Sequence, residues 1–238
     1  MAQSVGNAKN ILVGASPLFL SNIDINDADY IANAEAGVAI ASGATTVGVP
    51  AFSPGASYAT TLNNVNQTAG LFGYRNVGFT NNGLQITYNP TYDSVTVDQL
   101  LDTAKLFKSA MEVMIATEMS EGTLENIATV FGQASSTLAD NGLTGTANVK
   151  TLGLEAGALG AAPTERQLIA VGQAPTASST SSERVYYARR VLSVQQSQFS
   201  LARTTPTTFP VTFRLLPDAA YAGSEYGKII DRVLVASA

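Results

Sequence analysis

The run SAMEVMIATEMSEGTLENIATVFG, Ser109 to Gly132, changes its periodicity in the middle. Up to Met119 it has a period of two, with Met111, Val113 and Ile115 on one side and Glu112 and Glu118 on the other, as a half-buried strand requires. After Ser120 the apolar residues Leu124, Ile127, Ala128 and Phe131 fall at i, i+3, i+4 and i+7, the stripe of a helix. Ser120 reads as its N-cap, Glu121 sits in the first turn where the helix dipole favours an anion, and Gly132 stands at C′. Such a short helix is marginal alone. Burying Leu124, Ile127 and Phe131 against a sheet, at about 1.5–3 kcal/mol each, would hold it. The spacing therefore predicts one helix near 120–132 covering a sheet.

Outward from this stretch the chain reads as strands. Asn82-Gly83 lies between the β-rich runs NVGFT and LQITYNP, the pattern of a type I′ hairpin, because both central residues need positive φ. In the second run Leu84, Ile86 and Tyr88 share one face, and Gln85 and Thr87 share the other. In SVTVD, Val95 and Val97 oppose Ser94, Thr96 and Asp98. The last third offers a long bent strand or strand pair in RVYYARRVLSVQQSQFSLAR. Beyond it, TFPVTFRLLPD sets Phe209, Val211, Phe213 and Leu215 on one face, with Pro210 at a strand start or edge, and YGKIIDRVLV closes the chain. Residues 1–36 form an N-terminal strand or arm, 37–54 a strand and turn, and GQAPTASSTSS in 172–183 a mobile loop. No composition shift divides the 238 residues, so a single mainly β domain is expected, two packed sheets in a sandwich or barrel with one flanking helix.

Composition narrows the function. Histidine and cysteine are both absent, which removes the commonest general base, the thiolate nucleophile and the usual transition-metal ligands. The apolar fraction of 45% indicates a folded chain, whereas 13% charged residues leave a largely neutral polar surface. A net charge of −5 argues against gripping nucleic acid, which needs clustered Lys and Arg. No apolar run has the length of a membrane span, and Gly14, Ser16 and Pro17 interrupt the apolar start, so a soluble cytoplasmic product is expected.

The motifs of nucleotide binding and nucleophilic catalysis do not occur. Asp24, Asp27 and Asp29 loosely suggest a calcium loop, but Tyr30 stands where such a loop needs Gly, and a solvated turn fits better. Glu112 and Glu118 lie six residues apart on one strand, roughly 20 Å, too far for a glycosidase pair. Arg189-Arg190 would point to opposite sides of a strand, which suits a salt bridge better than a phosphate site. No catalytic residue, cofactor or metal is expected. A carbohydrate-binding or hydrolytic sandwich would usually present Trp, and the chain has none.

Taken in order, TYDSVTVDQLLDTAKLFKSAMEVMIATEMSEGTLENIATVFG resembles the major tail tube proteins of long-tailed bacteriophages. The matching residues are Val97, Asp98 and Gln99, then Lys105, a strand, and Thr123 to Ala128 with Gly132. The start NILVGASPLFL is similar to that family's opening strand, and FPVTFRLLPD with GSEYGKIIDRV to its closing one, through Phe213, Leu216, Pro217, Asp218, Tyr226 and Gly227. The likeness spans most of the chain, more loosely over about 20–70 and 133–180.

The resemblance implies a non-enzymatic virion protein, made in the host cytoplasm. Its subunits would form six-membered rings whose inner strands make a continuous barrel, and the rings would stack into the tail tube. Its partners would be other copies of itself, tail terminator and tail tip or initiator proteins. The genome would pass through on ejection without tight binding. Another self-assembling virion protein, or a tube component of a contractile or secretion-type device, is the alternative. Gln85, Thr87, Ser94, Thr96, Asp98, Glu112 and Glu118 are then candidates to line the bore; the same face would equally serve solvent or a neighbouring subunit. Tyr58–Asn66 and Ala174–Ser182, read as loops, would make ring-to-ring or outer contacts.

Overall fold

A computed structural model of the protein describes residues 16–21, 55–67, 74–96, 102–134, 138–140, 149–156, 159–160, 163–175, 182–194, 198–201, 203–204 and 206–234. In chain order the elements are β1 (Leu18–Ser21), α1 (Tyr58–Gln67), β2 (Tyr74–Asn76), β3 (Thr80–Thr96), β4 (Thr103–Met119) and α2 (Leu124–Val130). After them come β5 (Leu138–Asp140), β6 (Lys150–Leu152), β7 (Arg166–Gln173), β8 (Ser182–Ser193), β9 (Phe209–Leu215) and β10 (Gly227–Val233). One antiparallel sheet has the order β2-β1-β7-β8-β9-β4-β3, with β10 also on β8, and β5 and β6 form a separate pair. The protein is mainly β, with a helix where the 3.6-residue stripe placed it.

The sequence of each strand fits its place. The LIAV run of β7 is buried on both faces, as the middle of a covered sheet demands. Leu168 and Ala170 join Leu18, Leu20 and Val191 in a first core, where Val113, Ile115 and Met119 of β4 and Val211, Phe213 and Leu215 of β9 meet them. This core takes side chains from both halves of the sheet, a sandwich-like arrangement. Ile169 and Val171 face the other way, with Phe19, Val185 and Tyr187, onto Tyr58 and Leu62 of α1 and onto Tyr74. Strand β9 alternates as expected, Phe209, Val211, Phe213 and Leu215 being buried, and Pro210 is its second residue.

Segment 58–66 is a helix, not a loop. Its polar sequence, YATTLNNVNQ, has little intrinsic drive to fold. Two things supply it: burial of Tyr58 and Leu62, and a carboxylate from far along the chain. Glu183 of β8 accepts from the Tyr58 amide at 2.9 Å and from Ser57 Oγ at 2.8 Å, satisfying donors at the helix N-terminus. Arg232 of β10 closes the buried cluster by bonding both Glu183 and the Ala56 carbonyl. Deleting part of 58–66 would therefore unmake a core.

The expected loop 172–183 is narrower than its composition suggests. Gly172 and Gln173 end β7, Ser182 and Glu183 begin β8, and Ser182 Oγ donates to the Ala174 carbonyl at 3.0 Å across the base. The expectations for 37–54 and for Asp24, Asp27 and Asp29 lie outside the described residues.

Helix α2 begins later than expected. Thr123, not Ser120, is the N-cap, its Oγ1 accepting from the Asn126 amide at 3.2 Å. At the other end Gly132 has φ +67, and the amides of Gly132 and Gln133 bond the carbonyls of Thr129 and Ala128 in a Schellman closure. The buried face is also turned. Ala128 is buried and Leu124 and Ile127 half-buried, as anticipated, but Phe131 is 40% exposed, stacking on Phe199 at a centroid distance of 6.1 Å. In its place Asn126, Thr129 and Val130 are buried. Polar partners account for this. Asn126 Nδ2 donates to the carbonyls of Val77 and Glu121, each at 2.9 Å, while Arg75 bonds Asn126 Oδ1, the Glu125 carbonyl and Thr129 Oγ1. Burial, with Arg166 near, lowers the Arg75 pKa to about 10, so its guanidinium remains charged at neutral pH. Asn126→Ala should cost about 2 kcal/mol, because it strands buried carbonyls and the guanidinium; the shift of the urea midpoint measures it.

Candidate functional site

Strands β3 and β4 form a long hairpin arm. Each has 17 residues, about 56 Å of chain at the usual strand rise. Only the base of β4, Met114 to Met119, pairs with β9. Beyond it the arm leaves the body, and residues 103–110 and 91–96 are exposed on both faces. Large apolar side chains ride on it: Tyr88 is 66% exposed, Leu106 64%, and Tyr92, Val95 and Phe107 are also open.

The Asn82-Gly83 signal was right about the backbone and wrong about the path. Asn82 and Gly83 take φ +60 and +66, the left-handed pair of a type I′ turn. The chain does not reverse there. The register passes from Asn81↔Glu118 to Gln85↔Ala116, so two extra residues form a bulge in one continuous strand. Both flanking runs pair with the same partner, β4, and that long-range pairing overrides the local turn. The hairpin actually reverses between Thr96 and Thr103.

Register decides which bore candidates share a face. Gln85 opposes Ala116, Thr87 opposes Met114, Asn89 opposes Glu112 and Asn81 opposes Glu118, and directly paired residues lie on one side. Gln85, Thr87, Glu112 and Glu118 are thus together, opposite the face of Ile86, Tyr88, Val113 and Ile115. Ser94 and Thr96 are not with them. Alternation along unbroken β3 puts those two on the side of Ile86 and Tyr88, a relation hidden while SVTVD was read as a separate strand. Asp98 lies outside the described residues. On β4 the register slips at Ser109 and Ala104, so Lys108 comes opposite Tyr92 and Leu106 opposite Ser94. Each face of the outer arm therefore mixes polar and apolar groups.

Strand β9 completes the polar face with Arg214, opposite Met114, its guanidinium 3.9 Å from Glu112. Asn81 Nδ2 donates to Glu118 at 3.1 Å. Sequence reasoning missed Asn81, Asn89 and Arg214. The alternation of β9 already turned Arg214 away from the core, but only the β4–β9 register brings it to Glu112.

Behind the arm, β9 and β10 serve β8 as one composite strand. Leu215 pairs with Val191, the Leu216 amide donates to the Arg190 carbonyl at 2.9 Å, the Arg189 amide donates to the Tyr226 carbonyl at 3.2 Å, and Gly227 pairs with Ala188. Between Leu216 and Tyr226 the chain detours. Arg189, fully buried, holds the detour: its Nε donates to the Ser224 carbonyl at 3.1 Å, and its guanidinium lies 3.5 Å from the Tyr221 ring centroid. Arg190 instead bonds Glu165 with both arms of its fork, at 2.6 and 2.8 Å, and this pairing raises its pKa. The salt bridge expected of the arginine pair is thus Arg190's, within the chain.

Because β4 follows β9 while β10 follows β8, the sheet forks. An apolar cleft of about 230 Å³ opens in the fork, walled by Ile86, Tyr88 and Val113 on the arm and by Tyr186, Tyr226 and Ile229 opposite. The sheet has three edge strands among the described residues, β2, β3 and β10. The described residues hold no group of three acidic, His or Cys side chains placed for a metal. No protein-family model and no curated protein matches the chain.

Proposed function

We propose that the protein is a self-assembling structural subunit of a long-tailed phage tail tube. Copies join edge to edge into six-membered rings, and the rings stack into a conduit for DNA. The observation that carries this reading is the β3–β4 arm, which exposes apolar groups on both faces and ends one sheet in a long edge strand with no strand beyond it among the described residues. An edge of that kind invites pairing with another chain, and apolar surface on this scale marks an interaction site. A different edge strand, β10, lets the contact be heterologous, and repeated heterologous contacts close into a ring. The order of matches to tail tube proteins supports the same conclusion.

In this reading the face of Gln85, Thr87, Glu112 and Glu118 lines the bore, with Asn89 and Arg214 added to it. Its two carboxylates repel phosphate, and Arg214 offsets part of that charge, so passing DNA meets a polar wall without a continuous basic track. Reversing both charges, Glu112→Lys with Glu118→Lys, should leave ring formation intact and slow or arrest DNA passage. Tube yield by electron microscopy and ejection from reconstituted particles measure the two effects separately. Loss of rings would remove this face from the bore.

Negative-stain microscopy of purified protein over a concentration series tests the function itself. Hollow tubes or stacked rings of uniform width are expected, alone or on co-expression with a tail initiator. Monomers under both conditions would refute the proposal.

A further inference from the structure

We infer that Asn82 is a site of spontaneous, self-inflicted chemical modification: its side-chain amide is lost to attack by the Gly83 nitrogen, leaving aspartate and isoaspartate at position 82. Both residues are exposed, and a Cβ built on Gly83 would meet nothing within 4 Å, so no side chain shields the reacting atoms. Asn82, Gly83 and Leu84 fall in the gap between the paired residues Asn81 and Gln85, where the β3–β4 ladder does not hold them in register. The hydrogen bond fixed there, from Thr117 Oγ1 at 2.9 Å, lands on the Gly83 carbonyl and not on the attacking nitrogen. Glycine adds the backbone freedom that the attack geometry demands.

The reaction needs only water. The Gly83 amide loses its proton to solvent base, and its nitrogen bonds to Asn82 Cγ. The Cγ–Nδ2 bond breaks, and ammonia leaves with a proton returned from solvent. Water then opens the resulting five-membered imide at either carbonyl. One opening restores the normal backbone with a carboxylate at position 82; the other routes the backbone through the side chain. Each adds one negative charge beside the Asn81–Glu118 hydrogen bond, and the second also lengthens the main chain at the base of the arm, beside Thr117.

The full-length protein carries its own controls. Cleavage after Arg75 and Lys105 releases one peptide with Asn76, Asn81, Asn82 and Asn89. Asn89 precedes Pro90, whose nitrogen has no proton to lose, so it marks zero. After incubation of the folded protein at mildly alkaline pH, fragment mass spectra should place the amide-to-acid mass gain at Asn82, several-fold ahead of Asn76 and Asn81 and faster as pH rises. An isoaspartyl methyltransferase should label the same peptide. Isoelectric focusing should show a growing acidic band that Asn82→Gly abolishes, a change that keeps the positive φ available. An Asn82 that stays intact in the folded protein while the urea-unfolded chain converts would overturn the inference. So would conversion no faster than at Asn76.

Discussion

Gly227→Ala should destabilise the protein by about 3 kcal/mol or more. Gly227 starts β10 with φ +142, where an L side chain is strained. Space is the larger problem. A Cβ there would lie 1.9 Å from the Tyr187 carbonyl oxygen and 3.0 Å from Ala188 Cα, both backbone atoms of β8. No rotamer change relieves a clash with backbone, so β10 must part from β8 at its first pair. That movement would reach further, because Arg232 of β10 helps hold Glu183 at the start of α1. Gly223→Ala is the matched comparison: φ is +83, but nothing lies within 4 Å of the new atom, and only local strain of about 1 kcal/mol is expected. Denaturant midpoints followed by circular dichroism measure both. Equal midpoints for the two variants would show that the β8–β10 approach is looser than these distances state.

Shortening the arm should abolish assembly while sparing the fold. Pro90 pairs with Met111 and Thr91 with Ala110, so replacing residues 91–110 by an Asn-Gly turn joins two residues already opposed. Every described residue removed, 91–96 and 102–110, is exposed, and Val113, Ile115 and Met119 stay in the core. Unfolding free energy should remain within about 1 kcal/mol of the parent, whereas rings or tubes should be lost at every concentration. Light scattering after size exclusion reads assembly, and thermal melting reads the fold. Normal assembly by the shortened chain would remove the observation on which the proposed function rests.

Much of the fold was legible because it depends on side-chain period. The alternation of Phe209, Val211, Phe213 and Leu215 and the switch of period after Met119 both correspond to real elements. What period could not convey was partnership. Helix α1 has few apolar residues, and its N-terminus rests on Glu183, more than a hundred positions away, so no local signal marks it. Asn82-Gly83 adopts the predicted dihedrals, yet its meaning changed from turn to bulge because β4 runs past both sides. The same ignorance of pairing split the bore candidates. Gln85 and Thr87 share a face with Glu112 and Glu118, while Ser94 and Thr96 lie on the opposite side, because SVTVD continues the strand of LQITYNP. In α2 the stripe selected Phe131 over Asn126, since an amide is buried only where waiting carbonyls and a guanidinium satisfy it, and those come from Arg75 and Val77.

The composite strand made by β9 and β10 separates ladder from length. Its two pieces dock on adjacent residues of β8, Arg190 and Arg189, so the chain leaves and rejoins the sheet within a single step. Nothing in that spacing fixes how many residues the excursion contains. Its exposed tip at Ala222 and Gly223 is accordingly a graft point: a peptide tag or small domain spliced there would hang from a doorway already closed beneath it, leaving Tyr221 and Ser224 on Arg189 and the strand order unchanged.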